Sequence, residues 1–138
     1  MTWSPVHITA STISLTVDKV AESTAFFTTH LGFNQRMAAD GFASLGRDDA
    51  AVDIVLLRRG TEVLPEGFRD EHAAGVIVAF TVTDLAAHET RLRAAGVPIT
   101  MPLREEPWGE RLFQITDPSG ITVQFVEWAT PGPEQQEA

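Results

Sequence analysis

Positions 11–17 alternate. Ile13, Leu15 and Val17 fall on one side of an extended chain, and Thr12, Ser14 and Thr16 on the other. That period of two predicts a strand with one buried face. From Val20 the period lengthens: Val20, Thr24, Phe27 and Leu31 recur at helical spacing. They predict a helix over 20–31 with an inward apolar stripe, stopped by Gly32. The order then returns. Val78, Phe80 and Val82 alternate within a strand expected over 76–83. Asp84 stands where an N-cap belongs, a helix is expected over 85–95, and Gly96 with Pro98 ends it. Asp117-Pro118-Ser119-Gly120 reads as a type I turn between strands over 112–116 and 121–128. In the last of these Ile121, Val123 and Phe125 take one face, and Thr122, Gln124 and Val126 the other.

Phe42–Leu57 and Arg111–Val126 pair without gaps at a constant offset, Asp48 against Asp117 and Val52–Leu57 against Ile121–Val126. A repeat of about 65 residues marks a duplicated supersecondary unit. The expected architecture is therefore α+β: two tandem βαβββ modules, a helix covering one side of each sheet, the other sides lining a curved open-barrel cleft. The boundaries follow as an N-terminal extension (1–10), a first module (11–58), a linker loop (59–75), a second module (76–128) and a disordered tail (129–138). The linker reading rests on the polar, Gly- and charge-rich stretch Arg58–Gly75, and the tail on Pro131–Ala138, PGPEQQEA.

Composition narrows the function. With 138 residues, 43% of them hydrophobic, the chain is an ordinary globular one, one domain or two very small ones. No apolar run approaches the roughly 18 residues that span a bilayer, and the N-terminus lacks the parts of a signal peptide. No membrane partner and a cytoplasmic location are expected. Cysteine is absent, which removes disulfides, thiolate metal sites and a Cys nucleophile. A net charge of −9 repels phosphates, so no nucleic-acid partner is expected, and a neutral or cationic one is favoured. The four histidines, His7, His30, His72 and His88, fall outside the inner strand faces, with no HxH, HxxxH or HExxH spacing. Neither a nucleophile elbow nor a Gly-rich phosphate loop occurs.

Several motifs then carry a resemblance. Val20…Phe26-Phe27…Leu31-Gly32-Phe33, the stretch Pro107-Trp108-Gly109, and Asp117-Pro118-x-Gly120…Gln124-Phe125-Val126-Glu127 are similar to those of the vicinal-oxygen-chelate superfamily. That superfamily holds glyoxalase I, extradiol dioxygenases, and fosfomycin- and bleomycin-resistance proteins. The resemblance runs from about Thr12 to Trp128. In the metal-dependent members it implies one ligand from each of four strands, His, Glu or sometimes Gln. Those positions fall here on Thr12, Val55 (or Ile54), Ile77 and Gln124. Val and Ile carry no donor atom and neutral Thr is a poor ligand, so no metal and no other cofactor is expected.

Without a metal the cleft points to binding. The resemblance offers a precedent in drug-sequestering members that lack the ligands and act as homodimers, trapping an antibiotic. The two modules can pair within one chain or between chains. The expected function is sequestration of a small-molecule ligand, a planar aromatic, cationic or peptide antibiotic, as a self-resistance protein. Trp108 is the leading ligand-binding candidate, and it either flanks the cleft or plugs the sheet end as core. Phe42 is a pocket wall or core. Phe113 is a further candidate whose face depends on a one-residue register. Phe68 is a lid or an exposed loop aromatic. Asp53 shares the face of Val55 and could pair with a cationic ligand, or it is an exposed strand-end charge. Glu110 and Arg111 are rim positions. Thr12, Ser14, Ile77, Ala79 and Gln124 would form the floor. The alternatives are a metal-dependent glyoxalase- or dioxygenase-type lyase or oxidoreductase, a metal-free enzyme with Asp53 or Glu127 as general base, and a structural or regulatory dimer.

Overall fold

The computed structural model describes residues 7–129. The tail expected over 129–138, apart from Ala129, and the first six residues lie outside it. The chain divides into two compact units, 1–73 and 74–138.

The first unit runs β1 (Ser11–Val17), α1 (Val20–Leu31), β2 (Asn34–Ala39), β3 (Phe42–Gly46) and β4 (Val52–Arg58). Its sheet has the order β1-β4-β3-β2, with β1 parallel to β4 and the other pairs antiparallel. A parallel pair needs a long crossover, which α1 and the β2–β3 hairpin supply. Leu15, Val17, Ala43, Leu45, Ile54 and Leu56 are buried on the face that α1 covers. The helix meets them with Phe26, Phe27 and Leu31, and Phe27 packs edge-on against Phe33 with ring centres 5.6 Å apart. The expected stripe gave Phe27 and Leu31. Ser23 and Phe26 are buried beside them, while Val20 and Thr24 are only half-buried. Gly32 closes α1 in the left-handed region (φ 69°), and its N–H donates to the Phe27 carbonyl. The left-handed conformation calls for glycine, and a Cβ there would also meet the tip of the Arg47 guanidinium at 2.8 Å.

The stretch expected to be a linker bonds within itself and, near its ends, to this unit. Gly60 N–H donates to the Arg69 carbonyl at 2.6 Å, and Ala73 N–H to Thr16 at 2.7 Å. Arg69 reaches back through Nε to the Leu64 carbonyl at 2.8 Å. Backbone groups that would otherwise face water are thus partnered across a short loop.

The second unit repeats the order: β5 (Ile77–Thr81), α2 (Leu85–Ala94), β6 (Ile99–Glu105), β7 (Glu110–Thr116) and β8 (Thr122–Trp128). The sheet order is β5-β8-β7-β6, with β5 parallel to β8. Val123, Phe125, Phe113 and Ile115 are buried on the face toward α2, whose Leu85 and Leu92 are fully buried. Phe113 and Phe125 stack with centres 5.2 Å apart, and His88 of α2 stacks on Phe125 at 6.0 Å. The Asp117 turn forms as expected, and the Asp side chain holds it. Its Oδ1 accepts from Ser119 N–H at 2.9 Å and Ile121 N–H at 2.8 Å.

The capping of α2 differs from expectation. Asp84 occupies the N-cap position with φ 57° and makes no side-chain cap bond. Glu127 of β8 replaces it, accepting from Asp84 N–H at 3.0 Å and Leu85 N–H at 3.3 Å while Arg111 donates to it at 3.2 Å. The helix start carries partial positive charge and unpaired N–H groups, so a carboxylate from a neighbouring strand serves as well as a local one. Glu127→Ala is expected to lower stability by about 2 kcal/mol. A urea titration followed by circular dichroism reads this as an earlier midpoint, and an unchanged midpoint would remove the capping role. In the first unit the matching position is Arg58, which instead pairs with Asp40 through two bonds of 3.0 and 3.1 Å. That guanidinium holds the Asp40 carboxyl below the usual carboxylate range. No helix among the described residues is long and apolar enough to cross a membrane.

Candidate functional site

Each sheet has one face on its helix and one face turned away from it. In the first unit the strand register sets the second face. Thr12 lies beside Asp53, Ser14 beside Val55, Ser44 beside Val55 and Phe42 beside Leu57. In-register neighbours project to the same side. Thr12, Ser14, Asp53, Val55 and Phe42, five of the expected ligand-binding residues, are therefore brought together. Thr12 and Ser14 are exposed, and the other three half-buried.

Asp53 is not alone there. Arg36, at the irregularity in β2, reaches it at 3.7 Å and Asp48 at 3.6 Å. The guanidinium lies over Gly46, 2.5 Å from where a Cβ would stand, so a side chain at that position would push Arg36 aside. A cationic ligand would therefore have to compete with Arg36 for Asp53. The pair is loose and partly solvated, which keeps that competition mild.

In the second unit Ala79 lies beside Gln124, Gln124 beside Gln114, and Ile77 beside Thr122. Gln114 Nε2 donates to Gln124 Oε1 at 2.8 Å. One edge of this amide pair stays open, since each Gln side chain has two donors and an acceptor oxygen. Thr116 Oγ1 and Thr100 Oγ1 bond at 3.0 Å in the next row. Ile77 is exposed (54%). Trp108 lies in the turn between β6 and β7 and is 57% exposed, so it does not plug the core. Phe113 requires a correction. It is fully buried against Phe125 on the helix side, so the ligand contact expected of it is not available. Leu112, its neighbour, takes the face turned from the helix, as the partner of Val126.

The first unit also has a groove of about 580 Å³. It is formed by the first turn of α1, the β2–β3 turn and Arg58. Phe42 is the one expected residue that lines it. Its wall carries Asp18, Glu22 and Asp40 with Lys19 and Arg58, and these charges are paired among themselves or with Arg59.

Neither general-base candidate is idle. Glu127 has its carboxylate on the α2 start and Arg111, and Asp53 faces Arg36. The residues at the metal positions implied by the resemblance do not fit an ion. Val55 and Ile77 offer no donor, and Gln124 has its oxygen on Gln114. Divalent sites need several N or O donors. Among the described residues no group of three or more His, Asp or Glu side chains could hold a metal.

Sequence reading missed Arg36, Gln114 and Trp128, and it treated Glu110 as rim alone. A signal existed for Gln114: the predicted hairpin sets it opposite Gln124. Arg36 gave none, because a bulge decides where it points.

The sequence matches, over residues 5–125, the family model described as the Glyoxalase/Bleomycin resistance protein/Dioxygenase superfamily. A search of curated proteins found no significant match. Solved structures share the fold. A glyoxalase/bleomycin resistance protein/dioxygenase from Nocardioides superposes with a TM-score of 0.75 at 22% identity, covering 94% of this chain and 89% of the other. TnmS3, an antibiotic binding protein from Streptomyces sp. CB03234, gives 0.69 at 17% identity, covering 92% and 100%. A lactoylglutathione lyase from Agrobacterium tumefaciens gives 0.67 at 17% identity, covering 90% and 96%.

Proposed function

This chain belongs to the Glyoxalase/Bleomycin resistance protein/Dioxygenase superfamily, and on that premise we propose that it is a metal-free small-molecule-binding protein. Its ligand is a planar aromatic or cationic antibiotic, which it sequesters in the cytoplasm as a homodimer and thereby confers resistance. The observation that carries this reading is the donor set. The metal-ligand positions that the resemblance implies would fall on Thr12, Val55 (or Ile54), Ile77 and Gln124, and the Gln124 oxygen already accepts from Gln114. Around those positions the first unit has Ser14, half-buried Phe42 and the Asp53–Arg36 pair, and the second has Ala79 and, in its β6–β7 turn, an exposed Trp108. Such surfaces hold a ligand by area and stacking rather than by chemistry. A solved neighbour described as an antibiotic binding protein adds support, and the net charge of −9 favours cationic ligands over anionic ones.

Native mass spectrometry of the purified protein tests this, alone and with planar and cationic antibiotics. The expected species is a metal-free dimer that gains one or two drug masses. A species carrying stoichiometric divalent ion, with metal-stimulated turnover, would overturn the reading in favour of a dioxygenase-type oxidoreductase or a glyoxalase-type lyase, the latter being the class of one solved neighbour. A protein that stays monomeric at micromolar concentration would remove the dimer.

A further inference from the structure

We propose that the end of the second sheet formed by Trp108, Glu110 and Trp128 is a subsite for an alkylammonium group. The proposal deepens the binding reading above and rests on it, adding which part of a ligand is recognised and where.

Three observations meet there. First, two indoles are left in water, Trp108 at 57% and Trp128 at 50% exposed. Large aromatics concentrated at one spot mark contact surfaces more often than scattered apolar residues do. Second, both adjoin one carboxylate. Glu110 is the cross-strand partner of Trp128 in the β7–β8 ladder, so the two side chains stand side by side on one face. Trp108 Nε1 donates to Glu110 Oε1 at 3.0 Å. That N–H lies in the plane of the ring, so the bond takes the edge of the indole and leaves its faces to other contacts.

Third, Glu110 has no counter-charge among the described residues. The acidic residues around it are paired: Glu106 with Arg104, and Glu105 and Glu127 with Arg111. Among the described residues Glu110 has no arginine or lysine partner. A carboxylate beside exposed indoles attracts a cation, and a cation wrapped in methyl groups gains most from the ring faces because little hydration is lost.

The frame is held in place. Glu106 N–H donates to the Glu110 carbonyl at 2.7 Å, Gly109 N–H to Glu106 at 3.0 Å, and Ala129 N–H to Gly109 at 2.8 Å. Gly109 has φ 91°, a conformation that suits glycine. The turn that carries Trp108 is thus tied at both ends to the strands that carry Glu110 and Trp128.

The test uses choline and its neutral carbon isostere, dimethylbutanol, titrated separately into the full-length protein. The readout is the indole N–H signals in a nitrogen–proton correlation spectrum, where the chain's three tryptophans are resolved and assigned by substitution. Choline is expected to shift the Trp108 and Trp128 signals, with the isostere at least about tenfold weaker. Glu110→Gln keeps an oxygen for the Trp108 bond and removes the charge, so it should abolish that preference while the spectrum stays folded. Trp128→Leu should weaken choline binding with the Trp108–Glu110 bond intact. Equal response to both probes, an undiminished choline response in Glu110→Gln, or no shift with either probe would overturn the subsite. If antibiotics still add mass to the dimer in those cases, the binding reading stands without this subsite. If choline binds as expected but no antibiotic does, the binding partner is an ammonium compound of another kind.

Discussion

Phe113→Ala is expected to destabilise the protein by about 3–5 kcal/mol, the cost of emptying a ring-sized volume in a core. Phe113 has no exposed surface and stacks on Phe125, which in turn carries His88 of α2. Removing it leaves a void between β7, β8 and the helix. Domains of this size are stable by only about 5–15 kcal/mol, so a large part of that margin disappears. Thermal melting should show a drop of many degrees, whereas Phe42→Ala, on the half-buried side of the first sheet, should cost far less. The contrast separates core from binding surface. If Phe113→Ala melted like the native protein yet lost ligand, Phe113 would be a contact residue after all.

Asp117→Ala is expected to cost about 3 kcal/mol. The side chain is 4% exposed, and its Oδ1 accepts two backbone N–H groups in the β7–β8 turn. Bonds to a charged acceptor contribute about 1.5–3 kcal/mol each, and the loss would leave Ser119 and Ile121 N–H groups without their acceptor. The second oxygen, Oδ2, is buried without a protein partner, and its desolvation offsets part of that gain. Asp117→Asn keeps an accepting oxygen and removes the charge, so it should recover most of the stability. Chemical denaturation of the three proteins side by side reads the order native, Asn, Ala. Equal midpoints for Asn and Ala would mean that charge, rather than the turn bonds, is what matters. The duplicated position in the first unit, Asp48, has a fully exposed side chain paired loosely with Arg36. The same residue type thus serves a turn in one copy and a surface ion pair in the other.

The sheets' faces show how far sequence reaches. Alternation in 11–17 assigned Ile13, Leu15 and Val17 to the helix side, and Leu15 and Val17 are buried there. The two helices begin at Val20 and Leu85, as their periodicity and punctuation indicate. Alternation failed at Leu112-Phe113. Both are apolar and both are buried, so the pattern has no contrast to read. The pairings Phe113 with Phe125 and Leu112 with Val126 decide it. Asp84 looked like the cap of α2, yet the acceptor comes from Glu127, 43 residues away. Asp53 looked like a free acid, and Arg36 sits against it. Trp108, Glu110 and Trp128 meet only because β7 and β8 are paired.

The sequence alone determined the elements and their order, since hydrophobic period, caps and turn residues act through neighbours a few positions apart. Its repeat likewise determined the α+β fold with its duplicated module. The tertiary structure decided which charges are already paired, which aromatics are core, and which acid caps which helix. Those outcomes depend on strand register and on contacts between residues distant in sequence, and local periodicity carries no information about either.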